Sequence, residues 1–145
     1  MEDTIFQGIQ TFCSEVGEAA CYALSIIKIS SLYMNLDPDV ILVLKECINR
    51  GYIKYNWNDP NDNDNFYVEY PDKMLTYLTD CRWTCSHVKP DYQPQEGEYV
   101  VDRWERISTG NTSAHFRLPD WDSVKDSVTV KKGKIVSRRI FRKVA

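Results

Sequence analysis

The sequence has 145 residues, of which 43% are hydrophobic, 27% charged and 12% aromatic. This composition is typical of one folded domain with its own core, and it argues against a disordered chain. The net charge of −3 gives no overall positive field, so neither nucleic acid nor an anionic membrane surface is an expected partner.

The first half of the sequence predicts helices. Apolar residues recur with helical spacing from about 14 to 32. Asp37 followed by Pro38 predicts the start of a second helix that ends at Gly51, and a short strand follows at 52–55. Tyr70-Pro71-Asp72 predicts the start of a third helix.

The second half is rich in strand-forming residues. Five runs separated by glycine or proline turns predict strands at 83–88, 98–107, 113–118, 127–131 and 135–141. Helices followed by strands are typical of an α+β fold, in which N-terminal helices (about 1–80) pack on a C-terminal antiparallel meander (about 81–145). We expect a single domain over 1–145.

Two patterns suggest metal ligands without matching a known site. Cys81, Cys85 and His87 lack a fourth neighbouring ligand and the usual zinc spacing. The Asn- and Asp-rich tract at 58–65 lacks the glycine and the glutamate of a calcium-binding EF-hand, which favours a solvated loop. We therefore expect no metal and no cofactor.

The cysteines and the chain start indicate a reducing compartment. The cysteines are five in number and scattered, unlike those of a disulfide-rich secreted domain. The N-terminus carries no apolar signal segment, and no run reaches the roughly 20 apolar residues of a membrane helix. We expect a cytoplasmic protein that is not embedded in a membrane, although a phage-type export route would leave no such signal.

Cys21 is the first candidate for chemistry. If the first helix starts near Gly17, Cys21 lies in its first turn, where the helix dipole favours a thiolate. If the helix starts at Ser14, Cys21 lies two turns inside and the effect is weaker. The alternative is a buried cysteine that acts as a small core residue.

His115 and Asp122 are the second and third candidates. His115 is expected to begin a strand, and Asp122 follows it beyond a Pro119-Asp120 bend that can bring the two side chains together. A thiol nucleophile needs a base, and the base needs a group that orients it and stabilises its charged form. Cysteine, histidine and aspartate can fill these three roles.

Other residues compete for two of these roles. Asp120 or Asp126 can replace Asp122 if the bend is tighter, and His87 ranks second as the base. His115 can also be a structural strand histidine, and Asp122 can be a turn cap.

The order of a cysteine on an N-terminal helix, a histidine on a strand and an aspartate near the next strand resembles the papain-like cysteine peptidase superfamily. The similarity is greatest to small bacterial and phage forms of the bacteriocin-processing type. The segments that carry it are His115-Phe116-Arg117 and Trp121-Asp122-Ser123.

This resemblance implies a papain-like fold and a peptide or protein substrate. It also implies a nucleophile at Cys21, a base at His115, an orienting carboxylate at Asp122 and an oxyanion-hole glutamine at Gln10 or Gln7. The function expected is thus a thiol hydrolase that cleaves a peptide-type amide. The alternative is a catalytically inactive papain-like fold that acts as a phage-encoded binding or inhibitor protein.

Overall fold

Four helices and six strands make up the described part of the chain. The structure, a computed structural model, describes residues 18–55, 66–108 and 111–145. Its helices are α1 (Glu18–Met34), α2 (Val40–Asn49), α3 (Pro71–Thr79) and α4 (Val128–Lys132). Its strands are β1 (Ile53–Tyr55), β2 (Phe66–Val68), β3 (Trp83–Val88), β4 (Glu98–Ser108), β5 (Asn111–Arg117) and β6 (Lys134–Lys143). The fold is therefore α+β, as the sequence predicts.

The main sheet has four antiparallel strands in the order β3-β6-β4-β5. The predicted meander is wrong, because the last strand lies between β3 and β4. Its residues explain this position: Ile140 and Phe141 point to opposite faces of the sheet, and both are buried. A strand with apolar residues on both faces buries more apolar surface at the centre of a sheet than at its edge.

Helix α1 packs against one face and one edge of this sheet. Ile26 and Ile29 on the helix and Val101 and Phe141 on the sheet are completely buried. The stacked rings of Tyr22 and Phe116 join the helix to β5, with centroids 4.3 Å apart.

The second helix starts two residues later than predicted. Its N-cap is Asp39, whose carboxylate accepts a hydrogen bond from the Leu42 N–H. Asp37 instead accepts a hydrogen bond from the Ser31 hydroxyl at the end of α1. Gly51 follows the helix with a φ of 77°, the left-handed conformation that glycine adopts most easily and that the predicted stop requires.

Two short elements differ from the sequence prediction. The run at 127–131 is not a strand, because Val128–Lys132 forms the helix α4, which buries none of its side chains. Residues Phe66–Val68 form the unpredicted strand β2, which pairs with β1. The predicted Asn- and Asp-rich loop at 58–65 lies outside the described residues.

Candidate functional site

The site is built on β5, an edge strand of the main sheet. Phe116 directs its backbone groups away from β4, towards α1. Its N–H donates to the Cys21 sulfur at 3.3 Å. The Ser25 hydroxyl donates to the Cys21 carbonyl at 2.7 Å and lies 3.5 Å from the Phe116 carbonyl oxygen. Cys21 and Ser25 are one helical turn apart, so α1 meets both open backbone groups of Phe116 with one face.

Cys21 is nearly enclosed in this contact. The residue is 6% exposed, and it is the fourth residue of α1 as the structure describes that helix. The residues that separate the two predicted helix starts, Ser14 and Gly17, lie outside the described ranges. The sulfur is therefore placed against the open N–H of the strand, with little contact with solvent.

His115 precedes Phe116 on β5, so its side chain leaves the strand on the other face from the Phe116 ring, next to the edge N–H that contacts Cys21. It is the fifth residue of β5 and does not begin the strand as predicted, because the ladder with β4 extends back to Asn111. Its Nε2 lies 2.7 Å from Oδ1 of Asp122, and the two side chains are only 9% and 12% exposed.

The pairing fixes the protonation of the ring. An ionised carboxylate only accepts hydrogen bonds, so Nε2 of His115 carries the proton that it donates to Asp122. The basic site of the neutral imidazole is then Nδ1. The His115 ring is therefore held in one orientation by the Asp122 carboxylate.

Asp122 is itself held in place by its neighbours. Its Oδ1 also accepts a hydrogen bond from the Val124 N–H at 2.9 Å. Arg117, on the same face of β5 as His115, has Nη1 3.8 Å from the other carboxylate oxygen of Asp122. The carboxylate therefore has a fixed orientation relative to the strand.

A tight turn returns the chain from β5 to Asp122. Leu118 and Trp121 form a bridge through two backbone hydrogen bonds, as the predicted Pro119-Asp120 bend requires. Arg117 donates to the carbonyls of Leu118 and Pro119 at 2.9 and 3.1 Å. Arg117 was not among the predicted site residues, although its position two residues after His115 places it on the same face of a strand.

The competing residues lie elsewhere. Asp120 is exposed at the tip of the turn. Asp126 is exposed as well, and its nearest cation is Lys131 at 3.8 Å. His87 lies on β3, the opposite edge strand. Gln7 and Gln10 are outside the described residues, so the oxyanion-hole glutamine stays a prediction.

A groove of about 390 Å³ lies apart from these residues. Its lining consists of Tyr33, Trp83, Glu96, Gly97, Tyr99, Arg142 and Lys143. None of the three candidate residues lines it, so its position does not bear on their chemistry.

Comparisons with protein-family models, with curated proteins and with solved structures gave no match. Over residues 18–55, 66–108 and 111–145, no cluster of histidine, cysteine and carboxylate side chains is suited to hold a metal ion. In the same ranges, no helix combines the length and the apolar character needed to cross a membrane.

Proposed function

We propose that this protein is a papain-like thiol hydrolase that cleaves a peptide-type amide bond with Cys21, His115 and Asp122. One observation supports the proposal most strongly. A buried His115–Asp122 pair, 2.7 Å apart, lies on the strand residue next to the one whose N–H meets the Cys21 sulfur. A candidate nucleophile thus lies next to a base and an orienting carboxylate that come from a segment 95 residues further along the chain.

The first step forms a thioester. Nδ1 of His115 takes the proton of the Cys21 thiol, and the sulfur attacks the carbonyl carbon of the amide. Asp122 stabilises the imidazolium through its bond to Nε2. The imidazolium then gives its proton to the leaving nitrogen as the carbon–nitrogen bond breaks, which releases the amine.

The second step restores the enzyme. Nδ1 of His115 takes a proton from a water molecule, whose oxygen attacks the thioester carbon. The carbon–sulfur bond breaks, the acid product leaves, and the proton returns to the sulfur. The resemblance implies that Gln10, or alternatively Gln7, is the oxyanion-hole glutamine that stabilises the negatively charged oxygen in these steps. A cytoplasmic location is part of the proposal, because this chemistry needs a reduced Cys21.

A thiol-directed activity probe tests this function. We expect a peptidyl electrophile to label the native protein at Cys21, and labelling to be lost in Cys21→Ala and in His115→Ala. Cys85→Ala is the matched control, because Cys85 is a partly buried cysteine on β3 whose pKa burial raises to about 11. Labelling that survives Cys21→Ala, or that is absent from the native protein, contradicts the proposal.

A second candidate function is a catalytically inactive binding protein. An exposed apolar surface formed by the end of α1, the following turn and α2 favours it. Leu32, Leu36, Ile41 and Leu42 in this surface are 48–63% exposed. Contiguous exposed apolar residues of this kind often mark protein–protein contacts. If the protein is a binding protein, Cys21 and Ser25 only cover the open edge of β5. A native protein in which Cys21 does not react supports this second function.

A further inference from the structure

Arg139 is a buried cation on the face of the sheet that packs against α1. The residue is 8% exposed, and its guanidinium carbon lies 5.3 Å from the centre of the Phe116 ring. One Nη donates to the Ser137 hydroxyl. Its Nε is buried without a hydrogen-bond partner.

No carboxylate pairs with Arg139 within residues 18–55, 66–108 and 111–145. Two of its ionisable neighbours are Tyr22 and Cys85. Burial raises the pKa of Tyr22 well above its usual value, and burial raises the pKa of Cys85 to about 11. Neither group therefore supplies a negative charge at neutral pH, and Tyr22 is a hydrogen-bond partner of the guanidinium.

Two further basic groups are close. Arg103 lies over the same Phe116 ring at 5.4 Å and pairs with Glu105 at 3.2 Å. His87 is exposed on β3, opposite Arg139 in the register. Burial is the largest cause of the lowered pKa of His87, followed by the charges of Arg139 and Arg103. The two arginines are therefore close enough to His87 to act on its charge.

A buried cation without a negative partner destabilises a fold, because its lost hydration is not replaced. The Nε–H of Arg139 has no acceptor. A carboxylate that binds a planar guanidinium side-on can supply one of its oxygens as that acceptor. Phe116 connects this position to the candidate nucleophile: its ring contacts Arg139, and its N–H contacts the Cys21 sulfur.

We propose that Arg139 binds a carboxylate of the substrate, so that the hydrolase acts on acidic peptides. The substrate part of this inference rests on the proposed function, whereas the carboxylate site itself does not. Arg139 is then a specificity-determining residue beside the nucleophile, with Arg103 as a second cation over the same Phe116 ring.

The first experiment measures carboxylate binding without catalysis. In the Cys21→Ala protein, N-acetylglutamate is expected to raise the melting temperature by at least about 3 °C relative to N-acetylglutamine at equal ionic strength. Arg139→Gln should remove this difference, and Arg82→Gln, which removes an exposed arginine, should keep it. Equal shifts with the two compounds, or a difference that persists in Arg139→Gln, overturn the site.

A second variant separates binding from folding. Arg139→Met replaces the buried charge with an apolar side chain of similar length. Its melting temperature in chloride buffer is expected to equal or exceed that of the parent, because an uncompensated charge has been removed. A clear fall would show that Arg139 is a structural residue and would overturn the proposal.

The second experiment links the site to Cys21. Iodoacetyl-glutamate should alkylate Cys21 about 10-fold faster than iodoacetyl-glutamine, a difference that Arg139→Gln removes. Equal rates, with carboxylate binding intact, overturn the substrate assignment alone. A Cys21 that neither reagent alkylates in the native protein contradicts the hydrolase and leaves the carboxylate site to the melting experiment.

Discussion

The two edge strands of the main sheet each carry one of the two histidines of this chain, and their surroundings differ. On β5, His115 is buried, has Asp122 at 2.7 Å and is followed by the N–H that meets Cys21. On β3, His87 is exposed and faces Arg139, which lowers its pKa after the larger effect of burial. The first histidine has a carboxylate as its neighbour, whereas the second has arginines, which oppose its charged form.

The proposed choice of His115, and not His87, as the general base rests on these partner groups and not on the residue type. Both edges also carry a cysteine, Cys21 against β5 and Cys85 within β3. Only Cys21 accepts a backbone N–H, while Cys85 contacts the neutral Tyr22 hydroxyl at 3.8 Å. Matched substitutions at the two edges test whether this difference is functional.

The largest effect is expected from removal of His115, with removal of His87 as the matched control. His115→Ala should lower the rate of Cys21 alkylation or amide hydrolysis by roughly 10²- to 10⁴-fold, the usual contribution of a general base. His87→Ala should leave the rate nearly unchanged. Mass spectrometry of each cysteine against time gives both rates, and similar losses in the two variants would remove the distinction between the edges.

Substitution of the orienting carboxylate should give an intermediate effect. The Asp122→Asn variant keeps a side-chain oxygen that can accept a hydrogen bond from Nε2 of His115. Its rate of Cys21 alkylation should therefore fall less than that of Asp122→Ala. Asp120→Asn is the matched control, because Asp120 is exposed in the preceding turn. The pH dependence of Cys21 alkylation measures the change, and a greater loss in Asp120→Asn would assign the role to Asp120.

Stability should also differ between the two edges. Ser25→Ala removes a fully buried hydroxyl from the contact with Cys21 and Phe116, and we expect a loss of about 1 kcal/mol in the free energy of unfolding. Thr84→Ala on β3 removes an exposed hydroxyl and should change it by less than about 0.5 kcal/mol. Urea unfolding measures both, and equal changes would contradict the role of Ser25 in covering β5.

The smallest effect concerns the titration of His87. Its pKa is lower in the folded than in the unfolded state, so the unfolded chain binds more protons below about pH 6.5. The contribution of His87 to stability is therefore present above that pH and is lost as the pH falls. The slope of unfolding free energy against pH between about 5 and 6.5 should be shallower in His87→Gln, and an unchanged slope would contradict the assigned pKa direction.

Part of the candidate site could be predicted from the sequence, because it depends on short distances along the chain. Asp122 is seven residues from His115, and the Pro119-Asp120 bend between them has a local signature. The contact between Cys21 and Phe116 spans 95 residues, so no local pattern specifies it. Only the resemblance of residue order linked the cysteine to the histidine.

The sequence by itself determined the α+β class, the positions of α1 and α3 and the runs that form β3, β4, β5 and β6, because hydrophobic periodicity and turn residues act locally. Tertiary structure decided the central position of β6 and the helical state of Val128–Lys132. It also placed Arg139 beside Phe116, on the opposite face of the sheet from Arg138, whose partner is the buried Asp102 at 2.7 Å. Strand order depends on which faces become buried, and this is set by contacts between residues that are distant in the chain.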